Sequence, residues 1–115
     1  MNDQALKPTD LEADVGRLLD RIQALGNVGA LEGGGVCRLA LTDADRDGRN
    51  LVHSWMKDLG LSTRIDRIGN VVGIRKGTQD GAPVMVGSHI DSVATGGLYD
   101  GTLGVLAGLE AVHTL

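Results

Sequence analysis

The residues able to do chemistry are concentrated in one stretch. In Gly87-Ser88-His89-Ile90-Asp91-Ser92-Val93-Ala94-Thr95-Gly96-Gly97-Leu98-Tyr99-Asp100-Gly101, one histidine and two aspartates stand among mostly small residues. Imidazole nitrogen and carboxylate oxygen are both good ligands for zinc and its first-row neighbours. His89 and Asp91 are two positions apart, so in an extended backbone their side chains leave from the same face. A carboxylate there can hold the second imidazole nitrogen, fixing the tautomer and raising the basicity of the first. Asp100 has two readings of equal standing. Before Gly101-Thr102 it is an ordinary helix N-cap, or it is a metal ligand whose two oxygens bridge two ions. The glycines at 96, 97 and 101 suit the second reading, because they let the backbone turn tightly around a site.

Other reactive residues fit less well. Ser88 and Ser92 flank this segment, but neighbours in an extended chain point to opposite faces, which argues against a serine–histidine pair with His89. His53 and His113 fall on helical patterns and read as surface or core-edge residues. Gly33-Gly34-Gly35 is followed by neither Lys-Ser/Thr nor an immediate helix, so it reads as a connector or substrate-side loop rather than a phosphate cradle. The Gly96–Gly104 run has the wrong spacing for a dinucleotide fingerprint.

The elements that must position the stretch follow from periodicity. Leu11, Val15, Leu18, Leu19, Ile22 and Leu25 have helical spacing, with Thr9 or Asp10 as the expected cap and Gly26-Asn27 as the stop. Asp14, Arg17, Asp20 and Arg21 form the polar face of that helix and read as solvated. Thr42 caps a second helix, with Asp43, Asp45 and Asp47 at its positive end and Leu51, Val52, Trp55, Met56 and Leu59 as its buried stripe; Gly60 ends it. Residues 61–66 and 71–75 read as two strands joined at Gly69-Asn70. Val84-Met85-Val86 is apolar throughout and reads as a third strand, central in its sheet. A last helix runs from Thr102 to Leu115, where Gly104 and Gly108, one turn apart, allow close packing.

The chain has 115 residues, a net charge of -4, one cysteine, 18 glycines, no phenylalanine, one tryptophan and one tyrosine. That length suits one domain with a modest core built from Leu, Val and Ile. The acidic balance argues against nucleic acid, which selects basic surfaces. No apolar run is long enough to span a bilayer, and Met1–Asp10 lacks the apolar centre of a signal peptide, so no membrane partner and a cytoplasmic location are expected. Cys37 alone makes neither an internal disulfide nor a thiolate metal cage. The chain stops in mid-pattern at Leu115, which reads as a cut.

At these residues the sequence resembles a known family. The stretch Gly87–Ser92, then Gly96-Gly97-Leu98-Tyr99-Asp100-Gly101, then Gly104-Val105-Leu106-Ala107-Gly108-Leu109-Glu110 resembles the metal-binding core of the N-carbamoyl-L-amino-acid hydrolases. With these go the allantoate amidohydrolases, the β-ureidopropionases and, more distantly, the dimetal aminopeptidases. Upstream, Gly34-Gly35-Val36-Cys37-Arg38-Leu39-Ala40-Leu41-Thr42 with Asp45, then Trp55-Met56, Gly60-Leu61, Asp66 and Gly69-Asn70, extend the resemblance over nearly the whole chain.

The resemblance implies an α/β fold, a three-layer α/β/α mixed-sheet catalytic domain of the dimetal exopeptidase type, here truncated. Residues 1–115 would be the N-terminal part of that domain, without the lid and dimerisation domain or the C-terminal part. It implies His89 as a ligand of one metal and Asp100 as the bridge between two. It gives Asp91 a catalytic role as the acid that orients His89, and implies a cis peptide bond after Asp100. The cofactors would be two divalent ions, Zn or Mn, with Co or Ni as further occupants. The substrate is a small molecule whose carbamoyl or ureido C–N bond is cleaved by metal-activated water, the metals stabilising the oxyanion. The family's Glu-Glu pair, distal histidines and lid are not in this sequence. It is therefore expected to hold metal weakly, as a half-site, to lack turnover alone and to self-associate, where the complete family is a homodimer through its lid. Two alternatives stand beside this reading: part of a dimetal exopeptidase, and a non-catalytic α/β interaction module.

Overall fold

Three helices supply the buried surface that holds the chain together. The computed structural model describes residues 7–115, so the first six residues of the Met1–Asp10 stretch, read above for signal-peptide character, lie outside the described residues. Helix α1 spans Val15–Gly26 and presents Ile22 and Leu25 to the interior. Its cap is Asp14, whose carboxylate accepts a hydrogen bond from the Arg17 N–H at 2.9 Å. This corrects the expected cap at Thr9 or Asp10. Pro8–Asp10 closes a short 3-10 turn of its own, and Leu11 leaves it in an extended conformation, which separates the turn from the helix.

Helix α2 spans Asp43–Asp58 and begins where Thr42 predicts. The Thr42 hydroxyl accepts from the Asp45 N–H at 3.3 Å, and the Asp45 carboxylate in turn accepts from the Leu41 N–H at 2.9 Å. The two bonds satisfy one free N–H of the first turn and the N–H of the residue before the cap. Gly60, at φ +75°, turns the chain out of the helix.

Strands β1 (Ser62–Ile65) and β2 (Val71–Ile74) pair antiparallel, with Ile65 opposite Val71 and Ser62 opposite Ile74. The hairpin is as expected, but its connection is longer than a tight Gly-Asn turn. It is a loop over 66–70 organised by Asp66, whose carboxylate accepts from the N–H groups of Ile68 and Asn70 at 3.1 and 2.9 Å. Asp66 thus acts as a local side-chain turn former, and these bonds, led by that from the Asn70 side chain, hold its carboxyl below the ordinary range. The hairpin packs on α2 through Gly73, where a Cβ would stand 2.9 Å from Leu61 Cδ1 and 3.1 Å from Met56 Sδ.

Helix α3 spans Thr102–Thr114. Leu106 and Leu109 on α3, Ile22 and Leu25 on α1 and Val52 on α2 make the buried cluster, flanked by Leu18, Leu51, Trp55, Met56 and Leu59. An aliphatic core with one peripheral tryptophan is what the aromatic-poor composition implies.

The expected third strand does not form. Val84, Met85 and Val86 are exposed to 101, 84 and 64 % and pair with no strand among the described residues, where the sheet is the two-stranded hairpin. An apolar run marks a central strand only if neighbours flank it on both edges. Here the contact is to α3, through Val86 against Gly108.

The glycine-rich loop is tied down rather than free. Val36 and Gly96 exchange backbone hydrogen bonds of 2.9 and 2.8 Å, and the Cys37 N–H donates to the Gly29 carbonyl at 2.8 Å. No helix among the described residues is long and apolar enough to cross a membrane.

Candidate metal centre

The segment carrying His89 lies on the glycine face of α3. A Cβ at Gly104 would stand 2.8 Å from Ser88 Cβ, and one at Gly108 would stand 2.9 Å from Val86 Cγ1. The closest approach is at Gly101, where a Cβ would stand 2.5 Å from the His89 carbonyl oxygen and 2.6 Å from His89 Nδ1. Gly101 also has φ +69°, a conformation open to glycine and strained for other residues. The residue after Asp100 therefore has no side chain because His89 occupies its place. His89 thus packs against the residue that follows Asp100, although the two lie in separate segments.

His89 Nδ1 lies 3.1 Å from Asp91 Oδ1 and 3.1 Å from the Asp91 carbonyl oxygen. Both are pure acceptors, so the neutral ring that makes this contact carries its proton on Nδ1 and its lone pair on Nε2. This is the orientation a carboxylate imposes on a metal-ligating histidine. The side chains of His89 and Asp91 are 52 and 45 % exposed, which leaves the nitrogen accessible.

Asp100 is exposed, and α3 opens at Gly101 without a side-chain cap. The N-cap reading of Asp100 is thereby corrected. Its backbone carbonyl, not its carboxylate, accepts the Thr102 N–H, at 2.8 Å. The expected cis bond after Asp100 is also corrected: the bond is trans, with Gly101 making the turn through its positive φ. The carboxylate at 100 and the nitrogen at 89 are the donor types that zinc and manganese accept. Among the described residues no group of three or more His, Cys, Asp or Glu side chains gathers to hold an ion.

The remaining reactive residues lie elsewhere, as expected. Ser92 is structural, its hydroxyl accepting from the Arg38 N–H at 2.7 Å and donating to the Val93 carbonyl at 2.8 Å. His53 meets the Thr63 hydroxyl at 2.9 Å, and His113 meets Arg21 Nη2 at 2.9 Å.

Two buried charged residues outside this stretch were given no role from the sequence. Arg38 is 2 % exposed, and its guanidinium donates to the carbonyls of Ile90, Leu25 and Val28 at 2.8, 2.9 and 2.7 Å and to the Thr102 hydroxyl at 3.5 Å. Burial pulls its pKa below the ordinary arginine value, while Asp45 and Asp91 act in the opposite direction. Glu110, 1 % exposed on α3, accepts from Arg17 Nε at 2.8 Å, Arg17 Nη2 at 2.5 Å and the Asp14 N–H at 2.8 Å. Arg21 stands 3.4 Å from the same carboxylate. The supposed solvated face of α1 is therefore partly an ion-pairing face toward α3. One signal pointed there: Thr102, Leu106 and Glu110 share one helical stripe at four-residue spacing, so a charge on it requires a buried partner.

No protein-family model matches the chain. It is 47 % identical over 100 residues to the N-carbamoyl-L-amino-acid amidohydrolase of Pseudomonas sp. (strain NS671), over 86 % of this chain and 24 % of that one. It is 46 % identical over 99 residues to the allantoate amidohydrolase of Bacillus subtilis, over 85 % of this chain and 24 % of that one. The crystal structure of a hydantoinase/carbamoylase family amidase from Burkholderia ambifaria is similar at a TM-score of 0.89 and 47 % identity, covering 91 % of this chain and 26 % of that one. This chain is homologous to the carbamoyl-amino-acid and allantoate amidohydrolases. It spans about a quarter of the length of these amidohydrolase relatives. The fold described above thus matches about a quarter of that Burkholderia amidase at high structural similarity.

Proposed function

We propose that this chain carries part of the divalent-metal centre of a hydrolase acting on linear amide or ureido C–N bonds, of N-carbamoyl-L-amino-acid or allantoate type. The observation that carries the reading is the His89–Asp91 pair, in which the carboxylate engages Nδ1 and leaves Nε2 for a metal, on a ring that packs against Gly101, the residue after Asp100. The names of the relatives supply the substrate class.

In this reading His89 Nε2 and the Asp100 carboxylate hold metal, with Zn²⁺ or Mn²⁺ the first choices, Co²⁺ or Ni²⁺ further ones, and two ions in the complete enzyme. The ions, when bound, supply Lewis-acid activation of water and of the scissile carbonyl. Asp91 keeps the proton on Nδ1 and stops the imidazole from rotating. The bare Gly101 leaves room for the His89 ring. The chain would be the N-terminal part of a three-layer α/β/α catalytic domain, with further ligands, the dimer-forming lid and the flanking strands supplied by residues outside this sequence. Three protein ligands are usual for a catalytic zinc, and this stretch supplies two. The 115-residue chain therefore binds metal weakly and does not turn over substrate alone. The exposed apolar run Val84–Val86 makes self-association its expected behaviour at high concentration.

Isothermal titration with Zn²⁺ and Mn²⁺ tests the reading. The wild-type chain should bind, and His89→Ala and Asp100→Ala should each lose binding by tenfold or more. Equal binding by all three would refute it.

A further inference from the structure

The two candidate ligands stand on different segments, and no hydrogen bond between their side chains sets their spacing. Arg38 touches both segments. Its Nε donates to the carbonyl of Ile90, the residue between His89 and Asp91, at 2.8 Å. Its Nη2 lies 3.5 Å from the hydroxyl of Thr102, two residues after Asp100. Its Nη1 is fixed to the end of α1 through the Leu25 and Val28 carbonyls at 2.9 and 2.7 Å. Its backbone adds two more ties, since the Arg38 N–H donates to the Ser92 hydroxyl and the Ser92 N–H to the Arg38 carbonyl, both at 2.7 Å. Gly48 of α2 leaves room for the stem, as a Cβ there would stand 2.8 Å from Arg38 Cδ.

We infer that Arg38 is the positioning residue of the metal centre: it sets the distance between His89 and Asp100 by gripping the chain beside each from one rigid, buried fork. The inference rests on the metal reading above. A guanidinium is suited to this because its five donors are held in one plane, so a fixed pattern of acceptors is imposed on the surrounding backbone. Lysine has the charge, but its single ammonium cannot reach the three sides together. Neither Nε2 of His89 nor the carboxylate of Asp100 is touched by Arg38, so its effect on metal runs through the backbone.

The test is Co²⁺ titration of the whole chain, read by the visible absorption of the bound ion, with far-ultraviolet circular dichroism to establish folding. Arg38→Lys and Gly48→Ala, which keeps the arginine but displaces its stem, are compared with wild type and with His89→Ala. The expected result is that both variants keep the helical spectrum, bind Co²⁺ at least tenfold more weakly and change the shape of the absorption band. Folded variants with wild-type affinity and band shape would overturn the inference and leave the metal reading standing. If Arg38→Lys does not fold, Gly48→Ala decides by the same criterion. Absence of Co²⁺ binding by wild type, or binding that survives His89→Ala, would overturn the metal reading and this inference with it.

Discussion

Glu110 on the last helix and Arg17 on the first are joined by two hydrogen bonds, of 2.8 and 2.5 Å, between positions 93 residues apart. The bonds from Arg17, assisted by the Asp14 N–H and the Thr114 hydroxyl, hold the Glu110 carboxyl down to about 2, against the opposing effect of burial. The pair ties the C-terminal half of α3 to α1.

An acid-stability prediction follows from that depressed value. A carboxylate whose pKa is lower in the folded state stabilises the fold fully above its unfolded value, near 4.5, and loses that contribution as pH falls through about 2. The urea midpoint should therefore drop between those limits. Asp66 is shifted in the same direction, so the informative quantity is the difference made by Glu110→Gln. That variant should lose about 2 kcal/mol at pH 7 and show a shallower decline in acid. A decline as steep as wild type would remove Glu110 as its cause.

Asp91 should matter to metal far more than to folding. It is half-exposed and its carboxylate meets His89 alone among the described residues. Replacing an acid behind a ligating histidine costs about 10–100-fold in metal affinity. Asp91→Ala should show that loss by isothermal titration while its stability falls by less than about 1 kcal/mol, the usual limit for an exposed pair. Unchanged affinity would reduce Asp91 to a surface residue.

Gly101 should tolerate no side chain. Alanine there would need a positive φ and would meet the His89 carbonyl oxygen at 2.5 Å. Gly101→Ala should cost more than about 2 kcal/mol in urea denaturation and displace the His89 ring. Wild-type stability would show that His89 does not lie where the structure puts it.

These residues also show what the sequence made legible. The three helices were readable because Ile22, Leu25, Val52, Leu106 and Leu109 recur at helical spacing, and the core they form is the one observed. The pairing of His89 with Asp91 was readable because it depends on two neighbours in one local chain. Arg38 was not, since its partner Ile90 lies 52 positions away and periodicity assigns charge to solvent. Val84–Val86 failed in the opposite direction. Their apolar character is local, but burial depends on strands that the described residues do not place beside them. Asp100 stayed between two readings because capping depends on where the helix begins, and only the turn at Gly101 decides that.

In the proposed metal centre, Asp91 holds the His89 proton on Nδ1 and so leaves Nε2 for metal. The most direct test is nitrogen-15 resonance of the histidine side chains during Zn²⁺ titration. Before metal is added, His89 should show the Nδ1-protonated tautomer. Its Nε2 signal should then shift on adding Zn²⁺, while the side-chain signals of His53 and His113 stay in place. A His89 ring protonated on Nε2, or Zn²⁺ that moves the other histidines and not His89, would contradict it.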